Sequence, residues 1–163
     1  MRKLLFCPIL LCFVLGEAAL ADELFRQNIT YQILPISEIW VSGNPPALVV
    51  NSATAGQQPG EATDSTTTYG FSTNTWDIAK KITGKINESM PDSTYLKVNL
   101  SPSTGASSGG DVTLTTEPKD LVTGMLNQGD PDWELPITYK FGATFNAGLV
   151  SGVRTVTFTC LDE

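Results

Sequence analysis

The sequence predicts an all-β protein that folds as a single antiparallel β-sandwich of eight to ten short strands. Three observations favour this fold class. Apolar and polar residues alternate over much of the chain after residue 21, which places every second side chain on one face of a strand. Segments rich in Gly, Pro, Asn and Ser separate the alternating runs. Helical periodicity is almost absent, so βαβ units are not expected, and a β-barrel is the alternative.

The first 21 residues have the pattern of a secretory signal peptide. Basic residues at positions 2 and 3 precede a twelve-residue apolar run, Leu4–Leu15, and Ala19-Leu20-Ala21 is a small-x-small cleavage sequence. The apolar run is too short to span a bilayer. We therefore expect an exported protein, periplasmic, secreted or at the cell surface, whose mature form is one domain over residues 22–163 without a membrane span.

The composition of the mature chain disfavours several classes of partner and of catalytic site. Removing residues 1–21 leaves 8 basic and 16 acidic groups, a net charge of −8 that disfavours nucleic acid as a partner. Cys160 is then the remaining cysteine, so an internal disulfide cannot form. The chain has no histidine, the commonest general base and metal ligand. A non-enzymatic protein is expected, with hydrolysis by paired carboxylates as the catalytic alternative.

The first strands are expected in four runs: NITYQIL (28–34), ISEIWVS (36–42), ALVV (47–50) and TTTYGFST (66–73). In the first run Ile29, Tyr31 and Ile33 share one face. In the second run Trp40 lies opposite the apolar face and is expected to be partly exposed. The inner faces of the second and fourth runs are expected to carry Ile39, Val41, Thr67, Tyr69, Phe71 and Thr73.

The next segment, WDIAKKITGKINESM, is ambiguous. Its isoleucines Ile78, Ile82 and Ile86 recur every fourth residue, which fits one face of a helix and also one face of a strand. Gly84 interrupts the helix-forming residues. We favour a strand over Lys80–Asn87.

The second half of the chain supplies five further runs: YLKVNL (95–100), DVTLTT (111–116), KDLVTGM (119–125), PITYKFGATF (136–145) and VRTVTFTCL (153–161). In the last run Val156, Phe158 and Cys160 are expected to face inward with Arg154. Cys160 is then a small buried hydrophobic residue, with an intermolecular disulfide or a reactive thiol as alternatives. The other inner positions are expected at Leu96, Val98, Leu100, Ile137, Tyr139, Phe141, Ala143 and Phe145.

Three tryptophans are candidates for ligand binding. Trp40 lies on the strand face opposite Ile39 and Val41, and Trp76 and Trp133 lie in turn-rich contexts. Exposed indoles at such positions can stack on sugar rings. Aromatic residues of all-β proteins also serve as core or cross-strand partners, and that interpretation stays open.

One acidic loop is a candidate metal site. Asp130, Asp132 and Glu134 alternate in GDPDWEL, and three carboxylates on one side of an extended loop are the ligand type that calcium prefers. A solvated acidic loop is the alternative, because one stretch supplies few ligands. Calcium is the one cofactor that the sequence leaves open.

The closing segment GLVSGVRTVTFTCLDE resembles the last strand of bacterial fimbrial subunits and related exported coat-type β-sandwiches. The segments ITYQI, ISEIWVSG, KKITGKINESMP and YLKVNLSPSTGASSGGDVTLTT are similar to those of small uncharacterised exported bacterial proteins. This resemblance implies a fimbrial-like or immunoglobulin-like Greek-key sandwich.

The sequence therefore favours a non-enzymatic structural or surface protein of a bacterial envelope, coat- or fimbria-like, that acts through strand edges and a Thr/Ser-rich surface. Its partner is expected to be a second copy or another envelope protein. The alternative is a secreted module that binds a glycan or a protein through its tryptophans. The residues expected in the assembly strands are Ile29, Tyr31, Ile33, Val156 and Phe158.

Overall fold

The structure, a computed structural model, describes residues 25–126 and 132–163, except for the side chain of Asp132. Contacts divide the chain into two units at residue 32. In the first unit, the described residues 25–32 form neither helix nor strand. The described part of the second unit contains nine strands in two antiparallel sheets and no helix. The prediction of an all-β sandwich is confirmed.

None of the described residues belongs to a helix of the length and hydrophobicity needed to cross a membrane.

The larger sheet has the strand order β1-β2-β8-β4-β6, and the smaller sheet has the order β5-β7-β3-β9. The strand bounds are β1 Ser37–Val41, β2 Ala62–Thr73, β3 Lys80–Ile86, β4 Thr94–Leu100, β5 Ser107–Ser108, β6 Val112–Thr113, β7 Lys119–Met125, β8 Asp132–Ala143 and β9 Val156–Asp162.

The core lies between the two sheets and contains many of the inward positions that the alternation predicts, although Val41, expected on an inner face, is exposed. In β2, Tyr69 and Phe71 are buried, and the phenol hydroxyl of Tyr69 donates a hydrogen bond of 2.6 Å to the carbonyl of Ser101. The predicted inner faces of β4 and β8 are confirmed at Leu96, Val98, Leu100, Ile137 and Tyr139. Burying such side chains stabilises the fold by roughly 1.5–3 kcal/mol each before entropy costs.

The ambiguous segment is a strand, as predicted. β3 pairs with β7 on one side and with β9 on the other, so its backbone N–H and C=O groups have partners in two ladders. Ile82 and Ile86 are buried, whereas Ile78 precedes the strand and is exposed. Tertiary pairing decides between helix and strand here, because the isoleucine spacing fits both.

Several strand predictions are wrong. Residues 28–34 and 47–50 form no strand, and Phe145 is exposed because β8 ends at Ala143. In 111–116 the strand shortens to two residues. The short strand β5 forms between the predicted runs 95–100 and 111–116, where no strand is expected. Alternation shows that a segment suits a sheet surface, but a strand also needs a neighbour to complete its hydrogen bonds.

The buried phenol of Tyr139 should make the stability of the fold depend on pH. Burial, aided by the neighbouring carboxylate of Asp64, raises the pKa of Tyr139 to about 12. The unfolded chain releases this proton near pH 10, so stability is fully present below pH 10 and is lost as the pH rises through 12. We expect a loss of about 2 kcal/mol by pH 12. Urea denaturation at pH 9–12 measures it, and Tyr139→Phe should flatten the curve relative to Tyr31→Phe. Parallel curves for the two variants would contradict the assignment.

Candidate assembly edge and tryptophan surface

The C-terminal strand β9 forms one edge of the smaller sheet. It pairs with β3 at all seven positions without a register shift, and within the described part of the chain it has no second neighbour. Its inward residues Val156, Phe158 and Cys160 pack against the core but are only half buried.

The prediction that Cys160 faces inward is confirmed. Its burial is partial because an edge strand is covered from one side only. Burial raises the pKa of the Cys160 thiol, which favours the unreactive protonated form.

The end of β9 is anchored by charged groups. The ammonium of Lys80, which is almost fully buried, forms an ion pair with the carboxylate of Asp162. The backbone N–H of Glu163 donates to the carbonyl of Ala79 at 2.9 Å. The Glu163 carboxylate accepts a hydrogen bond of 2.8 Å from the backbone N–H of Gly124. β9 is thus anchored on its β3 side, while among the described residues no strand pairs with its other side.

The larger sheet ends at β1, which lies next to β9. β1 pairs with β2 over Ser37–Val41, and the residues that the structure describes give it no other strand neighbour. Its inward residue Ile39 is half buried and packs against the core. Both sheets therefore end on the same side of the sandwich, with apolar side chains that are incompletely covered.

The segment 25–34 exposes large apolar side chains. The exposed fractions are 78% for Ile29, 89% for Tyr31 and 80% for Ile33. The segment keeps the two-residue spacing of a strand without forming one. Exposed apolar residues in such a series are unusual on a monomer and mark interaction surfaces.

Comparison with protein-family models, with curated proteins and with solved structures found no match. Function is therefore inferred from the side chains of this chain alone.

The three tryptophans are all solvent-exposed, but they do not lie together. Trp40 on β1 is 50% exposed and lies opposite Gly70 of β2. Trp133 on β8 is 66% exposed and belongs to a bulge on the other side of the same Gly70. Trp76, 65% exposed, lies in the loop between β2 and β3. The structure thus places two of the three candidates on the two strands that flank β2 in one sheet.

The proposed calcium ligands fall largely outside the described residues. Asp130 lies outside them, and the backbone of Asp132 pairs with Phe71, while its side chain is not described. Glu134 is exposed and has a positive φ of 56°, which marks the bulge in β8. Elsewhere in the described chain no three acidic or cysteine side chains are grouped for a metal. The calcium site stays a prediction.

A network of paired charges crosses the larger sheet, and the sequence did not indicate it. Lys97 and Lys140 are cross-strand neighbours, each with its own carboxylate, Glu61 at 2.8 Å and Asp111 at 2.5 Å. Hydrogen bonds from Lys97 and Tyr95 hold the pKa of Glu61 below its usual value. The hydrogen bond from Lys140 does the same for the pKa of Asp111. Because every charge in this network is paired, we assign it a structural role rather than a ligand site.

Proposed function

We propose that the protein is a non-enzymatic structural subunit of a bacterial envelope that self-assembles by strand addition. Residues 28–34 of one copy pair with the open edge of β9 in the next copy. The observation that carries this proposal is the match between an exposed apolar segment and a half-covered edge in the same chain.

The β9 edge favours an added strand for physical reasons. Among the residues that the structure describes, no strand pairs with the outward N–H and C=O groups of β9. Such groups form a template for backbone hydrogen bonds from another chain. Proteins usually protect such an edge with a proline, an inward charge or a bulge. Residues 156–161 contain no proline and no charged residue, and the pairing with β3 has no bulge.

The N-terminal segment has the dimensions of the missing strand. It is as long as β9, and Ile29, Tyr31 and Ile33 recur every second position, so one face of the added strand is apolar. That face would cover Phe158, Cys160 and Ile39, which are half buried. Removing these surfaces from water favours binding by about 25 cal/mol per Å² of apolar area.

Charge favours an antiparallel orientation of the added strand. An antiparallel segment places Arg26 beside Asp162 and Glu163 at the end of β9, whereas a parallel one places it beside Arg154. Exposed ion pairs contribute little affinity, but like charges in contact disfavour the wrong orientation. Because each subunit carries both a segment and an edge, the contact is head-to-tail and can propagate.

The double variant Tyr31→Asp with Ile33→Asp is expected to abolish self-association, because two charges would be carried into an apolar interface. Sedimentation velocity of the exported protein over a wide concentration range measures the oligomers. The rate at which a disulfide reagent modifies Cys160 reports occupancy of the β9 edge, since an added strand would cover the thiol. We expect assembly to slow this reaction at least tenfold and the double variant to restore the monomer's rate.

The matched control is Leu149→Asp with Val153→Asp, two exposed apolar residues between β8 and β9. This control should assemble like the unaltered protein. A protein that stays monomeric at all concentrations would contradict the proposal, as would equal effects of the two double variants.

A further inference from the structure

The outer face of the larger sheet carries an aromatic surface centred on Gly70. Tyr69 and Phe71 point into the core, so strand alternation directs Gly70 to the opposite, outer face. Gly70 is nevertheless buried, although it has no side chain. Its neighbours at this register are Trp40 on one side and the bulged pair Trp133 and Glu134 on the other.

The bulge in β8 is what brings Trp133 to this position. Tyr69 pairs with Leu135 and Phe71 pairs with Asp132, which leaves two residues of β8 opposite the single residue Gly70. Glu134 takes up the extra residue with its left-handed backbone, φ 56°. Bulges recur beside functional sites because they redirect side chains. The backbones of Trp40 and Trp133 are two strand spacings apart, about 10 Å.

Polar groups border the two indoles. Glu38 lies two residues before Trp40 on the same face of β1, is exposed, and pairs with Ser72 of β2. Glu134 is exposed beside Trp133. Flat aromatic surfaces with a few flanking hydrogen-bonding groups suit a ligand that has an apolar face and hydroxyl groups at its rim.

We propose that Trp40 and Trp133 form a binding platform for a neutral, β-linked hexopyranose chain. The two indoles stack on the apolar faces of sugar rings, and the carboxylates of Glu38 and Glu134 accept hydrogen bonds from ring hydroxyls. The backbone spacing of about 10 Å between the two tryptophans suits sugar rings along one extended chain. The two carboxylates and the net negative charge of the chain disfavour acidic glycans.

This site is independent of the assembly edge. Trp40 lies on the face of β1 opposite to Ile39, so an added strand at β9 would leave the platform open. Its repetition along an assembly would raise the avidity for a polysaccharide without any new contact.

The test compares two tryptophans of matched exposure, Trp133→Ala and Trp76→Ala, with Trp40→Phe as a conservative variant. Binding of cellohexaose, chitohexaose and the acidic polygalacturonate to the exported protein is measured by isothermal titration calorimetry and intrinsic fluorescence. We expect saturable binding of at least one neutral oligosaccharide. Trp133→Ala should weaken it at least tenfold without a change in melting temperature, and Trp76→Ala should bind normally. Trp40→Phe should retain the fold and bind more weakly than the unaltered protein.

Three outcomes would overturn the proposal. The first is an absence of saturable binding to either neutral oligosaccharide at millimolar concentrations. The second is an equal loss of affinity in Trp133→Ala and Trp76→Ala, and the third is binding confined to polygalacturonate. The double variant at Tyr31 and Ile33 should bind the oligosaccharide like the unaltered monomer, so failure of assembly and failure of the platform remain distinguishable.

Discussion

Replacing Gly84 by valine is expected to destabilise the protein by about 3 kcal/mol, which corresponds to a fall in melting temperature of about 10 °C. Gly84 lies in the centre of β3 and is buried. A Cβ at this position would lie 2.6 Å from Cδ1 of Leu121 and 3.4 Å from Cδ2 of Leu114. Both leucines are buried almost completely, so neither can move without disturbing the packing between the sheets. Thermal and urea denaturation measure the effect.

Two further variants identify overpacking as the cause. Gly148→Val introduces the same side chain in a loop where a Cβ would meet nothing within 4 Å, so its stability should change by less than about 0.5 kcal/mol. Leu121→Ala combined with Gly84→Val should recover part of the loss, because the smaller residue vacates the space that valine needs. Equal stabilities of Gly84→Val and Gly148→Val would rule out this explanation.

Asp162→Asn is expected to destabilise the protein by about 2–3 kcal/mol, because it leaves the ammonium of Lys80 without its counter-charge. The side chain of Lys80 is 5% exposed and that of Asp162 is 67% exposed. The loss of stability therefore comes mainly from the buried ammonium of Lys80. Because Asp162 is exposed, this loss should be smaller than for a fully buried ion pair. Denaturation by urea at pH 7 measures the loss.

Because Lys80 is buried and Asp162 is exposed, removing one partner should not have the same effect as removing the other. Lys80→Met removes the buried charge and leaves an exposed carboxylate that water solvates, so it should cost less than Asp162→Asn. Adding Asp162→Asn to Lys80→Met should cost little more. If the two single variants lose the same stability, the buried ammonium is not the source of the effect. Asp162 belongs to the β9 edge, so Asp162→Asn should also make that edge fray at its C-terminal end.

The proposed assembly and the proposed glycan platform use different parts of the same sandwich. Assembly depends on backbone groups at β9 and on a segment that is not a strand in the isolated chain. The platform depends on side chains that project from the outer face of β1 and β8. An envelope subunit with both would expose one platform per copy along a head-to-tail array.

The candidate site was only partly predictable. The sequence singles out Ile29, Tyr31 and Ile33 as one apolar face, but the same alternation occurs in β4, where the corresponding residues are buried. The sequence identifies Trp40 and Trp133 as candidates but does not predict that they flank the same residue. They are separated by 92 residues, and the bulge at Glu134 determines which residues of β8 lie opposite Gly70. The charge network around Lys97 and Lys140 was missed, since its members come from distant segments.

The sequence by itself determined the all-β class and the inward residues of β2, β3, β4, β8 and β9. These follow from the two-residue period of side chains along a strand, which is a local property of the backbone. Only the tertiary structure decided that 28–34 forms no strand, that β9 is an edge and that Trp40 and Trp133 flank one glycine. Each of these depends on which strands become neighbours and in what register, and local alternation carries no information about a partner distant in the chain.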